Sequence, residues 1–201
     1  MVENTVKTKI EDTRQQILGT ARSIILGKGF AAVGLNEILT TASVPKGSFY
    51  HYFKSKEQFG NALLEDYFAD YIVLLESLLG DDGTPAVKRL MFYFQHWLDS
   101  QLSDTTEDKC LVVKLSAEVT DLSEAMRCTL NEGTGKIVAR LSKTIEEAVG
   151  NNELAASTNA DQLAQELYCI WVGATLLTKV SHTRDALECA MQATRKRLTH
   201  G

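Results

Sequence analysis

The sequence predicts an all-α protein of about nine helices: a three-helix helix-turn-helix head at the N-terminus, then a longer helical body. Three observations carry the helical class, while the head rests on the spacing and signature of residues 34–56. Only two prolines, Pro45 and Pro85, interrupt 201 residues, so long stretches are free to be helical. Apolar residues recur at helical spacing along nearly the whole chain. Alternating runs of strand type, internal repeats and low-complexity tracts are missing from the sequence.

Taken in order, the first helix is marked by Ile10, Ile17, Ala21 and Ile24 and stops near Gly27 and Gly29, where a C-cap forms easily. A short helix from Leu35 to Ala42 follows. Ser43-Val44-Pro45 then makes a turn, and Lys46 to Phe53 a second short helix with proline at its start. Ser55-Lys56-Glu57-Gln58 reads as a capping box. It opens a long helix through Phe59, Leu63, Tyr67, Tyr71, Leu74 and Leu78, ended near Gly80. Thr84-Pro85 is expected to cap a helix with Val87, Leu90, Phe94 and Trp97 on one face. After the polar loop 103–109 come helical stretches near Cys110–Val119 and Ser123–Val149. The last two helices, about 159–182 and 184–199, carry Leu163, Leu167, Ile170 and Leu177, then Leu187, Ala190, Met191 and Leu198.

Composition narrows the function classes. A hydrophobic content of 44% with 23% charged residues fits an ordinary globular chain. The start is polar and lacks the apolar core of a signal peptide. Gly173, Thr175, Thr178 and Lys179 break the longest apolar stretch, Leu167 to Val180, so no bilayer span and a cytoplasmic location are expected. Cys110, Cys128, Cys169 and Cys189 have neither zinc-type nor disulfide-framework spacing. They are expected to be free thiols, with Cys169 a buried small hydrophobe. Cofactor, metal and catalytic set are not expected. None of His51, His96, His182 and His200 lies at a spacing that ties it to a cysteine, and Gly133-Thr-Gly135 falls inside a helix rather than after a strand.

Charge is unevenly spread. Residues 1–57 hold eight basic and five acidic side chains, the remainder thirteen and twenty-one. A mildly basic head on an acidic body suits a polyanion partner. The head also has the spacing to read one: the helices of 35–42 and 46–53 are joined by about three residues, as in a helix-turn-helix. Ile38, Leu39, Ala42, Val44, Phe49 and Phe53 form an apolar seam between them, each large side chain contributing about 1.5–3 kcal/mol when buried. The opposite face of the second helix then shows Lys46, Ser48, Tyr50, His51 and Tyr52, all hydrogen-bond donors suited to phosphates and base edges. Lys56, in the first turn of the following helix, adds a cation beside amides oriented for phosphate.

These residues carry a resemblance. Gly29-Phe30, Glu37-Ile38, Ala42, Val44, Gly47, Phe49-Tyr50, Phe53 and Lys56 resemble the N-terminal signature of TetR-type transcriptional repressors. The resemblance implies a DNA-binding domain over 1–57, a ligand- or redox-sensing and dimerisation domain over 58–201, and a homodimer that binds double-stranded operator DNA. By matching position, Lys46, Gly47 and Ser48 approach bases, while Tyr50, His51, Tyr52 and Lys56 hold bases or backbone. Two departures stand out. The threonines usual at the start of the second helix are Val33 and Gly34, and the serine usual before the recognition helix is Pro45.

In the body, the last two helices are amphipathic enough to pair with their copies as a four-helix bundle. With Asp108 as N-cap, Cys110 falls in the first turn of a helix, where oriented amides, Lys109 and Lys114 favour a thiolate while Glu107 and Asp108 oppose it. Lys179, inside an apolar helix, must snorkel to water or meet a partner. The segments 45–60 and 110–127 resemble the N-ethylmaleimide- and electrophile-responsive, NemR-type subgroup of the same family. That resemblance implies that Cys110 is a sensor, that Lys179 is its partner in oxidant sensing, and that the inducer is a reactive electrophile or oxidant. The competing expectation is a reversible apolar inducer in a pocket lined by Tyr67, Tyr71, Phe94, Trp97, Tyr168 and Trp171, residues that plain core packing also explains.

Overall fold

The computed structural model describes residues 2–103 and 110–199, with side chains from residue 13 onward. Nine helices and no strand occur among the described residues: α1 (Val2–Lys28), α2 (Leu35–Thr41), α3 (Lys46–Tyr52), α4 (Lys56–Leu79), α5 (Ala86–Leu102), α6 (Leu111–Val119), α7 (Glu124–Gly150), α8 (Ala160–Ser181) and α9 (Asp185–Thr199). None of them is long and apolar enough to cross a membrane. By backbone contacts the chain forms two compact units, Met1–Phe68 with Thr105–Leu130, and Ala69–Asp104 with Asn131–Gly201.

In the first unit, α1 ends where Gly29 takes a φ of +94° and its N–H closes on the Ile25 carbonyl at 2.7 Å. That left-handed conformation suits glycine. Ile17, Leu18, Ala21 and Ile25 bury the inner face of α1, while the Ile10 side chain lies outside the described residues. Gly60 on α4 is needed for a different reason. A Cβ there would fall 2.6 Å from the Phe30 ring and 2.8 Å from the Met126 methyl, so three chain segments meet where only hydrogen fits.

Two of the expected apolar seams run differently. On α4, Phe59, Leu63 and Tyr67 are buried as expected, but the seam continues through Leu75 and Leu79 instead of Leu74 and Leu78. Steps of four residues advance 400° on a helix of 3.6 residues per turn, so a strict i+4 row drifts off the buried face. On α8 the buried row is Leu163, Leu167, Tyr168, Trp171 and Ala174. Leu177 lies outside it, 59% exposed.

The start of α5 also corrects the sequence reading. Its N-cap is Pro85, with no side-chain cap, and Thr84 is itself tied down by the Asp82 carboxylate, which accepts its N–H at 2.9 Å. The two free amides of Ala86 and Val87 are instead taken by the two oxygens of Glu153, each at 2.9 Å. A residue 66 positions downstream does the work assigned to a local cap. At the end of α4, the Leu79 carbonyl accepts from both Arg89 and Arg140. The buried Arg89 also bonds the Thr84 carbonyl and pairs with Glu147 at 2.7 Å.

Candidate DNA interface and sensor positions

The head is built on a cluster of three rings. Phe49 on α3, Phe53 at its end and Phe59 on α4 lie with centroids 5.1–5.5 Å apart and are essentially inaccessible to solvent. Ile38, Leu39, Ala42 and Val44 are buried too, so the whole predicted seam holds α3 in place. The turn between α2 and α3 is pinned twice. Val44 N–H bonds the Leu39 carbonyl at 2.9 Å, and Gln16 of α1 donates to the Ala42 carbonyl at 2.8 Å. Ser43 in that turn has a φ of 55°.

With its inner face locked, α3 turns Lys46, Gly47, Tyr50 and His51 to solvent and leaves Ser48 and Tyr52 half-buried. Tyr50 is 55% exposed, with its ring edge-on to Phe49. A rigid short helix with an outward row of donors is the arrangement that reads duplex DNA in the major groove. Nothing lies within 4 Å of a Cβ built at Gly47, so packing within the chain does not require glycine there. The two departures noted in the sequence have a visible result: Gly34 and Pro45 are the N-caps of α2 and α3, and neither helix has a side-chain cap.

Lys56 is placed differently from a free phosphate cation. Its ammonium donates to the Val33 carbonyl at 2.8 Å, reaches the Ala31 carbonyl at 3.5 Å, and lies 4.9 Å from the Phe30 ring centroid. The expected capping box is present with one shift. Ser55 Oγ accepts the Gln58 N–H at 3.0 Å, while Gln58 reaches back to the N–H of Lys54.

Cys110 is half-buried and is itself the N-cap of α6, with an extended backbone (φ −63°, ψ 109°) and no side-chain cap bond. The helix therefore starts one residue later than expected and Cys110 precedes its first turn; Asp108 lies outside the described residues. The Cys110 carbonyl accepts the Lys114 N–H at 3.3 Å. The Lys114 ammonium approaches the Gly27 carbonyl at 3.4 Å, and the Glu118 carboxylate accepts the N–H groups of both Phe30 and Ala31. Sequence spacing carries no sign of either contact, because 87 or 88 residues separate the partners.

Lys179 is half-buried in the last turn of α8, where a cation complements the helix dipole. Cys110 and Lys179 fall in different compact units. Cys169 is exposed, against expectation. It lies off the Tyr168–Trp171 face, and Gln165 donates to its sulfur at 3.3 Å. Cys128 is exposed at the start of α7, its thiol 3.5 Å from Glu124 and 3.7 Å from Arg127. Hydrogen bonding from Arg127, then from Cys128, draws the Glu124 carboxyl down to about 2.

Of the six aromatic residues that could line a pocket, Phe94, Trp97, Tyr168 and Trp171 pack on one another. Phe94 stacks on Trp171 at 5.1 Å, Trp97 touches both Trp171 and Tyr168, and the indole N–H groups of Trp97 and Trp171 donate to Thr175 and Thr194 at 3.0 and 2.9 Å. Tyr71 meets the Tyr93 hydroxyl at 3.1 Å. Tyr67 counts with the other unit, where Arg22 lies 4.9 Å from its ring.

A helix-turn-helix with its donor-bearing helix locked on an aromatic core defines a DNA-binding protein. Comparison with known proteins gives the family. Residues 17–63 match the family described as "Bacterial regulatory proteins, tetR family", and residues 86–194 match "Tetracyclin repressor-like, C-terminal domain". The chain belongs to the TetR family of bacterial transcriptional regulators. It is 43% identical over 180 residues, 90% of each chain, to the HTH-type transcriptional repressor NemR of Escherichia coli K12. It is 31% identical, over 87% of this chain and 86% of the relative, to the repressor DhaR of a Mycobacterium species. The crystal structure of reduced E. coli NemR superposes with a TM-score of 0.87 at 43% identity, over 92% of this chain and 96% of that one.

Proposed function

We propose that the chain is a cytoplasmic transcriptional repressor that grips a palindromic operator as a homodimer and is released when a reactive electrophile or oxidant modifies Cys110, so that detoxification genes are expressed. In this reading Lys46, Gly47 and Ser48 approach base edges, and Tyr50, His51, Tyr52 and Lys56 hold bases or backbone. The dimer pairs through α8 and α9. Leu176, Leu177 and Val180, each more than half exposed, supply an apolar face for it on α8.

The observation that carries the reading is the position of Cys110. It is a half-buried thiol at the N-cap of α6, where oriented helix amides favour a thiolate, and α6 belongs to the same compact unit as the reading head. Adding a bulky group there displaces the start of a helix that touches the head directly. Lys179 takes the second role, in the response to oxidants rather than to alkylating agents.

A gel-shift assay with and without N-ethylmaleimide tests this, using a duplex that the wild-type chain selects from a random-sequence pool. Wild type is expected to let go on treatment and Cys110→Ser to stay bound. Equal release from both proteins rejects Cys110 as the sensor. Lys179→Met is expected to respond normally to N-ethylmaleimide and weakly to hypochlorous acid.

A further inference from the structure

The six-residue turn between α1 and α2, residues 29–34, sets the angle at which the helix-turn-helix leaves the first helix, yet its own sequence does little to fix it. Gly34, the N-cap of α2, offers no side-chain oxygen. What holds the turn comes from elsewhere in the fold. Glu118 of α6 presents its carboxylate to two consecutive backbone amides, Phe30 at 3.0 Å and Ala31. Charge-assisted bonds of this kind are roughly twice as strong as neutral ones. From α4, Lys56 takes the carbonyls of Val33 and Ala31. The ring of Phe30, 6% exposed, fills the space left by the missing Cβ of Gly60. Two donors of the turn are thus held by α6 and two of its acceptors by α4.

Glu118 shares its side of α6 with Lys114, four residues before it, and Cys110, four residues earlier again, is the N-cap at which that helix starts. Lys114 reaches the last turn of α1 at the Gly27 carbonyl, and Glu118 reaches the turn beyond it. Gly29 faces the same carboxylate, and a Cβ there would fall 3.1 Å from Glu118 Oε2, so a larger residue at this position would press on the clip.

We propose that Glu118 is a positioning residue for operator binding: its two-amide clip fixes the α1–α2 turn, and α6 transmits a change at Cys110 to the head by drawing that clip away. The first half concerns DNA binding alone, and the second rests on the sensor role proposed for Cys110. The clip closes in the unmodified protein, so breaking it weakens operator binding and leaves less for alkylation to undo.

The test compares wild type with Glu118→Gln on the selected duplex, before and after complete reaction with N-ethylmaleimide, with the adduct checked by mass. Unmodified Glu118→Gln is expected to bind at least tenfold more weakly than wild type. The further loss on alkylation is expected to shrink to less than threefold. A general loss of stability lowers both affinities by one factor and leaves their ratio at the wild-type value; that result overturns the coupling role. Amide exchange supplies a measurement that needs no variant. In wild type the Phe30 and Ala31 N–H groups are expected to exchange at least tenfold faster after alkylation, and unchanged exchange in protein that has released DNA also overturns it. If alkylated wild type keeps its DNA, the sensor reading falls by itself. The clip is then judged on unmodified Glu118→Gln, where a loss of less than tenfold rejects it.

Discussion

Lys46 owes its position to Phe49. The phenylalanine is fully buried between Phe53 and Phe59, and its burial turns the first residue of α3 outward. A lysine on a rigid helix start has its backbone already ordered, so binding costs only its side-chain rotamers, about 0.5–1.5 kcal/mol. Lys46→Ala is expected to cost about 1–3 kcal/mol per half-site and to relax base preference at the position it reads. Affinities measured across single-base operator variants check this. A uniform loss over all variants, with the salt slope reduced, would instead make Lys46 a phosphate contact. The cysteines show how far neighbours decide a residue's role. Cys169 lies only two positions from the buried Trp171, yet the helical turn between them places it in solvent.

Among the elements, α5 shows how a helix end can be stabilised from a distance. Pro85 fixes the backbone at its start without offering an acceptor, and Glu153 then accepts from both Ala86 and Val87. Glu153→Ala leaves those two amides without their partner. An N-cap of this kind contributes about 0.5–2 kcal/mol. Urea unfolding is expected to show a fall in stability within that range, and an unchanged midpoint would mean that water replaces the carboxylate at no cost. The same logic holds across the loop that precedes α5, where Arg89 and Arg140 converge on the last carbonyl of α4.

For the molecule as a whole, the central requirement is two reading helices at one spacing. A two-fold dimer presents them about 34–36 Å apart, one turn of DNA, so binding to a palindrome depends on the contact between copies. Leu177 and Val180, 59% and 73% exposed on α8, have the apolar character that such a contact buries. The double substitution Leu177→Arg with Val180→Arg is expected to give monomers in sedimentation and to weaken binding to the full palindrome at least tenfold, about 1.4 kcal/mol. A dimer of unchanged affinity would show that the copies meet through another face.

The sequence by itself determined the helical class, the helix-turn-helix and its buried seam, because these depend on local periodicity and on turns a few residues long. Ile38, Leu39, Val44, Phe49 and Phe53 fall on one seam, and the structure buries every one of them. Family membership was legible for the same reason, since the signature sits in one continuous stretch. What only the tertiary structure decided are the long-range acceptors and donors: Glu118 on the amides of Phe30 and Ala31, Lys56 on the carbonyls of the same turn, and Glu153 on the start of α5. A carboxylate on a helix looks like any solvated charge until another segment arrives to be bound. Chain folding brings those partners together across 23 to 88 residues, and local sequence carries no record of that meeting.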